Sequence, residues 1–414
     1  MFKKYSLILI LIMFLSALSG CSYLTKDDTN RNINSSNSQI NSIENKPVEV
    51  EPIDPIIEQI SEMTIDEKIG QMMMFSIEGY SLNDNTKKLI ENYKIGGFVV
   101  LGENVKETKQ LLDLLNSIKK ENTINKIPLF LSVDEEGGRI TRMPKEFNRL
   151  PTNKAIGKIN SKNFSNKIGS ILGYEVKSFG YNMDFAPVFD VNSNPNNPVI
   201  GDRSFGPVAN LVSDLGIETM KGIQSENIIP VVKHFPGHGD TSVDSHKGLP
   251  IVNSDLERLQ SLELIPFADA IENGADAVMI AHILLPKIDK ENPASMSKII
   301  ITDILRTNLK FNGVVITDDM TMGAITENYN LGESAVKSVN AGADIVLVCH
   351  GYDSKLEVIN AMKSASLNGT ISSLRIDESV YRILSLKKKY NLNDVIIDSV
   401  NVNEINNKIN KLLN

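Results

Sequence analysis

The sequence has few cysteines, few aromatic residues and no excess of positive charge. Only Cys21 and Cys349 occur, which excludes a disulfide framework. Tryptophan is absent and aromatic residues make up 6% of the chain, so a surface of stacking platforms is not expected. The net charge of −8 argues against a nucleic-acid-binding protein, which normally carries a basic surface. What the 414 residues do contain is a 41% hydrophobic fraction, enough to bury a large core.

The N-terminus has the pattern of a secretory signal. Lys3 and Lys4 precede the uncharged residues 5–25, and a short basic region followed by an apolar run is typical of a signal peptide. Leu18-Ser19-Gly20-Cys21 resembles the lipobox of bacterial lipoproteins. We therefore expect residues 1–20 to be a signal peptide and Cys21 to carry a lipid anchor. An uncleaved membrane anchor is the alternative, and both interpretations place the body outside the cytoplasmic membrane.

A polar spacer follows this signal. Between Asn30 and Asn45, ten of sixteen residues are Asn or Ser, and such a segment cannot offset its ordering entropy by burying apolar surface. Residues 21–55 are therefore predicted to be a flexible tether that holds a folded domain away from a membrane.

From residue 56 onward, short apolar runs alternate with amphipathic helical stretches. Several runs are apolar on both faces, as parallel strands covered by helices are. Eight strand–helix units in series predict an α/β fold, a (β/α)₈ barrel formed by residues 56–392 as one domain. The predicted strands are residues 72–77, 97–101, 129–133, 182–185, 229–233, 277–281, 314–317 and 345–348.

An open, doubly wound sheet is the alternative fold, but no glycine-rich nucleotide-binding turn follows the first strand. Among the helices, Ser254–Glu257 fits a capping box, and Gly274 lies where that helix should end. In the tail, residues 393–414, a stripe containing Ile405 and Ile409 could form a packing helix or fray.

Polar residues follow the third and fourth predicted strands. Asp134 emerges directly from the third strand, ahead of Gly137 and Gly138, and Arg203 lies in the loop after the fourth. In a barrel these positions lie at the mouth, where active sites are built. Taken alone, the first segment also fits a turn with an acidic helix cap, and the arginine also fits a solvated or ion-paired side chain.

The fifth strand leads into a cluster of histidines. His234, His238 and His246 fall within thirteen residues, together with Asp240 and Asp244. One interpretation is a metal site, because imidazole and carboxylate ligands suit zinc or iron. The other is acid–base chemistry, in which Asp244 orients His246 so that a ring nitrogen transfers a proton. The spacing does not decide between them.

The seventh strand ends in Asp318 and Asp319. A carboxylate at the barrel mouth can attack an anomeric carbon or stabilise an oxocarbenium-like transition state. Because adjacent side chains on an extended strand point oppositely, only one of the two is expected to face the cavity. A pair of helix-capping acids is the alternative for this segment alone.

The histidine segment, Lys233 to His246 followed by Leu249-Pro250, resembles the signature of the β-N-acetylglucosaminidases of glycoside hydrolase family 3. The similarity runs in order from about residue 58 to residue 390. Four further segments fit the same family: residues 134–139, 201–206, 293–297 and 317–320. The resemblance implies a retaining hydrolase on a (β/α)₈ barrel that removes non-reducing-terminal N-acetylglucosamine from muropeptides or related amino sugars, without a metal or cofactor.

Site residues are implied by motif position. Asp318 is the implied nucleophile, and His246 the implied general acid/base, oriented by Asp244. The residues implied to hold sugar hydroxyls are Asp134, Arg142, Arg203, Lys233 and His234. Glu135 departs from the family, which commonly has Gln at this position, and we expect its side chain to point away from the sugar.

The implied partners are an amino-sugar glycoside or muropeptide and, through Cys21, a membrane; a monomer is expected, and no nucleic acid. Three alternatives stay open: a metal-dependent barrel hydrolase, a family 3 glycosidase or phosphorylase of different sugar specificity, and a lipid-anchored sugar-binding protein without turnover.

Overall fold

The computed structural model describes residues 54–246 and 248–414. The predicted signal peptide, the lipid-anchor residue Cys21 and nearly all of the predicted tether lie outside the described residues. Among the helices that are described, none combines the length and the apolar character needed to cross a membrane.

Eight parallel strands form the centre of the fold. Each is short and buried along its whole length, because helices cover the outside of the sheet and side chains fill its interior. The strands are β1 (Met73–Ser76), β2 (Gly97–Val100), β3 (Phe130–Val133), β4 (Met183–Asp184), β5 (Ile229–Phe235), β6 (Ala277–Ile280), β7 (Val314–Thr317) and β8 (Val346–Val348).

The strand order closes a barrel. Neighbours pair in sequence order from β1 to β7, and β8 pairs with β1. Between β7 and β8 the link is short: Thr317 N–H donates to Ile345 O at 3.0 Å, and Ile345 N–H donates to Val315 O at 3.0 Å. The prediction of a (β/α)₈ barrel is confirmed.

Helices surround the barrel and connect its strands. They are α1 (Pro55–Glu62), α2 (Ile65–Gln71), α3 (Asp84–Tyr93), α4 (Thr108–Asn122), α5 (Asn153–Ile159), α6 (Lys162–Phe179), α7 (Ala209–Ser225), α8 (Leu256–Ser261), α9 (Ile265–Glu272), α10 (Gly323–Thr326), α11 (Leu331–Ala341), α12 (Tyr352–Leu367), α13 (Ser373–Lys389) and α14 (Val402–Leu413). A π-helical segment, Ile299–Asn308, connects β6 to β7, and short 3₁₀ turns form at Gly102–Asn104, Gly201–Arg203 and Ala294–Met296.

Two local predictions need correction. The N-cap of α8 is Asp255 rather than Ser254, because the Asp255 carboxylate accepts the N–H of Arg258 at 3.1 Å. The expected single helix is also two: α8 ends at Ser261, and α9 begins next to Pro266, which lacks the N–H needed to continue a preceding helix. Gly274, at φ +88°, therefore follows α9 rather than α8.

The C-terminal residues end in α14, which lies against α6. Ile405 and Ile409 are buried on its inner face, and Tyr174 on α6 donates from its hydroxyl to Glu404 at 2.7 Å. Asn148 adds two hydrogen bonds to Asn406 and Asn410. A stripe of two isoleucines one turn apart, with polar residues elsewhere, is the pattern of a helix packed on one side.

Candidate active site

One cavity of about 370 Å³ lies at the carboxyl ends of the strands. Seven of the eight predicted catalytic and sugar-binding residues line it: Asp134, Arg142, Arg203, Lys233, His234, His246 and Asp318. The eighth, Asp244, contacts one of the seven. Residues from β3, β5 and β7 meet here because parallel strands deliver their carboxyl ends to the same rim.

One side of the cavity is a buried network of ion pairs, which we call the ionic wall: Asp134, Glu136, Arg203 and Lys233. Lys233 Nζ lies 2.6 Å from Asp134 and 2.8 Å from Glu136. Glu136 also accepts two hydrogen bonds from the Arg203 guanidinium, at 2.7 and 2.9 Å. Glu136 was not predicted as a site residue, although it stands in the segment 134–139.

Electrostatics keep the ionic wall charged in spite of burial. Burial alone would raise the pKa of Glu136, but the charges of Arg203 and Lys233 hold it well below its usual range. Burial would likewise lower the pKa of Lys233, and the carboxylates of Asp134 and Glu136 outweigh that effect and raise it. The wall therefore presents fixed charges and donors before any ligand arrives.

Lys233 and His234 both reach the cavity although they are adjacent on a strand. β5 extends to Phe235, beyond its predicted end at residue 233, and its pairing with β6 is irregular between Val232 and Phe235. Such an irregularity interrupts the alternation of side chains. Two consecutive residues can therefore serve the same face.

A buried carboxylate that the sequence did not reveal fixes His234. Asp190 Oδ2 lies 2.7 Å from Nδ1 of His234, and Asp190 Oδ1 accepts the backbone N–H of His238 at 2.6 Å. Burial would raise the pKa of Asp190, but interactions with His234 and His238 lower it. With Nδ1 held by Asp190, the other ring nitrogen of His234 is directed toward Arg203, at 3.4 Å.

Asp318 follows β7 directly and is held by the main chain. Its N–H donates to Ile280 O at 2.9 Å, and its carboxylate accepts the N–H of Asp319, also at 2.9 Å. Burial would raise the pKa of Asp318, but the nearby His282 and His234 and this N–H outweigh burial and lower it. Asp318 is therefore ionised, which is the form that its predicted role as nucleophile requires.

Asp319 lines the cavity as well as Asp318, where only one of the two aspartates was expected to face it. β7 ends at Thr317, and strand alternation does not extend to the turn that follows. The Asp319 carboxylate is already engaged: it accepts from Thr321 Oγ1 at 2.6 Å and from the N–H of Cys349 at 2.8 Å. This leaves Asp318 as the carboxylate available to a ligand.

His282, two residues after the end of β6, contacts the turn formed by Asp318 and Asp319. Its Nε2 lies 2.9 Å from Asp319 O, and its Nδ1 lies 2.7 Å from the hydroxyl of Ser295. Burial lowers the pKa of His282 and so favours the neutral ring, which can donate from Nε2 to Asp319 O and accept at Nδ1 from the Ser295 hydroxyl. The segment 293–297 thus contributes Ser295 as a support for the turn that carries Asp318 and Asp319.

The predicted acid–base pair lies on a long loop after β5, described at residues 236–246 and 248–252, which we call the acid–base loop. His246 Nδ1 lies 2.8 Å from Asp244 Oδ1, and the same oxygen accepts the N–H of His246 at 3.0 Å. The His246 side chain is 67% exposed, in contrast to the ionic wall. Asp244 holds one ring nitrogen and leaves the other for proton transfer.

The three histidines of the metal-site alternative have separate partners. His234 contacts Asp190, His246 contacts Asp244, and His238 contacts the hydroxyls of Thr241 and Ser245. Within residues 54–246 and 248–414, no three His, Cys, Asp or Glu side chains are grouped to hold a metal ion. The geometry gives that alternative no support.

Glu135, whose side chain is predicted to point away from the sugar, is buried and is not one of the residues that line the cavity. Its carboxylate accepts the backbone N–H of Arg142 at 2.7 Å. Burial raises its pKa to about 7, opposed by hydrogen bonds from Thr141, Arg142 and Met143. Glu135 therefore shapes the turn that brings the Arg142 side chain to the cavity.

Known proteins share this sequence and fold. The pattern of the glycosyl hydrolase family 3 N-terminal domain matches residues 64–386. Beta-hexosaminidase A of Pseudoalteromonas piscicida is 32% identical over 367 residues, covering 79% of this chain and 61% of that protein. The beta-hexosaminidase of Nitrosomonas eutropha is 31% identical over 323 residues, covering 76% of this chain and 91% of that protein.

A solved structure, a glycoside hydrolase family 3 beta-N-acetylglucosaminidase from a Paenibacillus species, superposes with a TM-score of 0.80 at 38% identity. The match covers 84% of this chain and 68% of that one.

Proposed function

The chain belongs to glycosyl hydrolase family 3 and is a glycoside hydrolase, and on this premise we propose that it is a retaining β-N-acetylhexosaminidase. It releases non-reducing-terminal N-acetylglucosamine from peptidoglycan fragments. The observation that carries the proposal is the meeting of Asp318 and the Asp244-oriented His246 on one cavity beside the ionic wall.

In the proposed reaction, a carboxylate oxygen of Asp318 attacks the anomeric carbon while protonated His246 gives its proton to the departing glycosidic oxygen. The products of this step are a covalent glycosyl-aspartate and the free aglycone. Neutral His246 then takes a proton from a water molecule, whose oxygen attacks the anomeric carbon and releases Asp318. Two displacements at one carbon return the β configuration.

The remaining residues hold the sugar. Asp134 and Glu136 neutralise Lys233 and Arg203, so these side chains act as directed hydrogen-bond donors rather than as free charges. Asp134, Arg142 and His234 complete the set of groups for sugar hydroxyls. Because these groups line one pocket of about 370 Å³, we take a terminal sugar as the favoured substrate.

Two paired assays test the proposal. The full chain is incubated with a 4-nitrophenyl N-acetyl-β-glucosaminide and with the matching β-glucoside, and the configuration of the first product is followed by proton NMR. We expect turnover of the N-acetyl substrate with β product formed first. Preference for the glucoside, or an α product, would contradict the proposal, and acceleration by added phosphate would indicate a phosphorylase.

The N-terminal sequence supports a proposal for where the protein acts. We propose that residues 1–20 are removed, that Cys21 carries a lipid, and that the barrel, residues 56–392, acts outside the cytoplasmic membrane, tethered by residues 21–55. This places it next to peptidoglycan. In a bacterial host, the Cys21→Ser variant should leave the membrane fraction; unchanged membrane association would contradict lipid anchoring.

A further inference from the structure

Ser245 differs sharply from the two residues that flank it. It is 2% exposed, whereas the side chain of His246 is 67% exposed and that of Asp244 is 30% exposed. The acid–base loop therefore turns one residue inward between its two functional groups. A polar side chain is buried only where it finds partners.

Ser245 is held from two directions. Its carbonyl accepts the N–H of Ala324 on α10 at 3.0 Å, and its hydroxyl lies 3.3 Å from Nε2 of His238. His238 is itself fixed, by its N–H to Asp190 at 2.6 Å and by its Nδ1 to Thr241 at 2.8 Å. The loop is thus attached at Ser245 both to the β5 side of the cavity and to α10.

Gly323, the first residue of α10, allows the loop to come this close. A Cβ atom at position 323 would lie 2.8 Å from the carbonyl oxygen of His246, too close for a carbon and an oxygen that are not bonded. Gly323 is not among the glycines with positive φ, so its backbone conformation alone does not demand glycine. Close approach of the His246 main chain does.

The attachment point is significant because α10 follows the nucleophile turn. Only four residues separate Asp318 from Gly323, and the turn between them is fixed by Asp319 and Met322, whose N–H donates to Asp319 O at 3.0 Å. The main chain of His246 therefore rests on the segment that carries Asp318. The positions of the two proposed catalytic groups, Asp318 and His246, therefore both depend on the segment from Asp318 to Gly323.

We propose that Ser245 and Gly323 are positioning residues that hold the acid–base loop against α10 and so place His246 over Asp318. This inference rests on the proposed function, in which His246 is the general acid. Neither residue contacts the reacting atoms. Their effect should appear in proton transfer to the leaving oxygen, and less in sugar binding.

The test uses N-acetyl-β-glucosaminides with a 4-nitrophenyl and a methyl leaving group. Gly323→Ala should lower kcat/KM, which reports the first displacement, about 10- to 100-fold for the methyl glycoside, as expected for a misplaced general acid. For the 4-nitrophenyl glycoside, whose leaving group needs little protonation, kcat/KM should fall less than about 3-fold, although its kcat can fall further because His246 also acts as the base in the second displacement. Alanine favours a helix over glycine, so weakened α10 would not explain the loss.

Gly248→Ala is the matched control, since a Cβ there meets nothing within 4 Å although the residue lies in the same loop. Gly248→Ala should leave the ratio of kcat/KM for the two glycosides unchanged. Ser245→Ala removes the contact with His238 without touching Gly323, and should shift the ratio in the same direction as Gly323→Ala. It carries the test if Gly323→Ala does not fold, as judged by thermal unfolding.

Equal losses on both substrates in the folded variants, or a Gly248→Ala effect as large as that of Gly323→Ala, would overturn the inference. His246→Ala distinguishes this from failure of the proposed function. If His246→Ala discriminates between the substrates and the positioning variants do not, only the positioning role is wrong. If His246→Ala does not discriminate, the assignment of His246 as the acid is wrong.

Discussion

The two sides of the cavity are built on opposite principles. On the ionic wall, Lys233 and Glu136 are 1% and 2% exposed and are joined by ion pairs shorter than 3 Å. On the acid–base loop, the His246 side chain is 67% exposed and contacts the Asp244 carboxylate. Groups that are proposed to bind the sugar can be locked before the substrate arrives, which reduces the cost of binding. A group that must gain and lose a proton needs a different environment.

Two buried histidines near the cavity, His238 and His282, show what burial does to an imidazole. Burial and the neighbouring His234 lower the pKa of His238 to about 4, and burial also lowers that of His282. Such rings stay neutral at physiological pH and serve as fixed hydrogen-bond partners. The ring of His246 is instead 67% exposed, so solvent and a leaving group can reach it, as the proposed proton transfer requires.

The largest effect is expected from Asp318→Asn, which removes the proposed nucleophile from the fixed side of the cavity. The loss in kcat should be on the order of 10⁴-fold or more, and equal for the 4-nitrophenyl and methyl glycosides. Steady-state kinetics on both substrates measure it. Because the carboxamide keeps the size of the side chain, thermal unfolding should change little.

Substantial turnover by Asp318→Asn would show that another group attacks the anomeric carbon. Asp319 is the neighbouring carboxylate, and Asp319→Asn is the matched comparison. The expected defect of Asp319→Asn is structural, because a carboxamide accepts the hydrogen bonds from Thr321 and Cys349 more weakly than a carboxylate does. A variant that loses activity only at position 319 would exchange the two assignments.

Next in size is the effect of His246→Ala on the loop side. For the methyl glycoside, kcat should fall about 10²- to 10⁴-fold, the usual contribution of a general acid. For the 4-nitrophenyl glycoside the first step should be nearly unaffected. Because the ring is exposed, the free energy of unfolding should change by less than about 0.5 kcal/mol. Asp244→Asn should give a smaller loss of the same kind, since the ring remains but its orientation is no longer held by a carboxylate.

How much of this was visible in the sequence differs between the two sides. The acid–base loop could be predicted from three histidines that lie close together in the sequence. On the other side, β7 has the predicted bounds, 314–317. Asp190 and His282 were missed because each lies in an otherwise apolar run and acts through another residue. A pattern of hydrophobic residues identifies strands, and it does not say which polar residue in a strand end is a support.

The missed strand details have a similar origin. β4 keeps only two paired residues, Met183 and Asp184, and β5 continues to Phe235. Pairing depends on neighbours that are distant in the sequence, so the apolar run alone does not set strand ends. Glu136 stood beside the residues implied by the family resemblance, and only the contacts with Lys233 and Arg203 reveal that it neutralises both.

The third prediction tests the ionic wall. Glu136→Gln leaves the charges of Lys233 and Arg203 buried with less compensation, and removing one partner of a buried ion pair costs about 3–5 kcal/mol. Urea unfolding of the full chain measures it. Asp202→Asn is the matched control: it breaks the Arg139–Asp202 pair, which is 2.7 Å long but 48% and 39% exposed, and should cost less than about 1 kcal/mol. Equal costs would mean that the wall is not preassembled by its charges.

The smallest effect concerns Glu135, a buried carboxyl whose ionised form burial disfavours. Asp184 and Glu175 lie nearby, and burial and the mutual repulsion of these acids raise the pKa of both well above the usual range. The pKa of Glu135 is raised to about 7, from an ordinary value of 4.5. A raised pKa means that the folded protein binds the proton more tightly than the unfolded chain. Stability is then lost as the pH rises from about 4.5 through 7.

Glu135→Gln removes this dependence, because glutamine cannot ionise and can still accept the N–H of Arg142 through its carbonyl oxygen. The variant should resemble the parent in stability at pH 5 and exceed it at pH 8, by at most about 3 kcal/mol. Urea unfolding at the two pH values measures the difference, and Glu103→Gln, which changes an exposed glutamate, is the control. If Glu135→Gln is instead less stable at pH 8, the ionised carboxylate must be the form that holds the Arg142 turn. Glu135 would then belong to the ionic wall as a charged residue, next to Glu136.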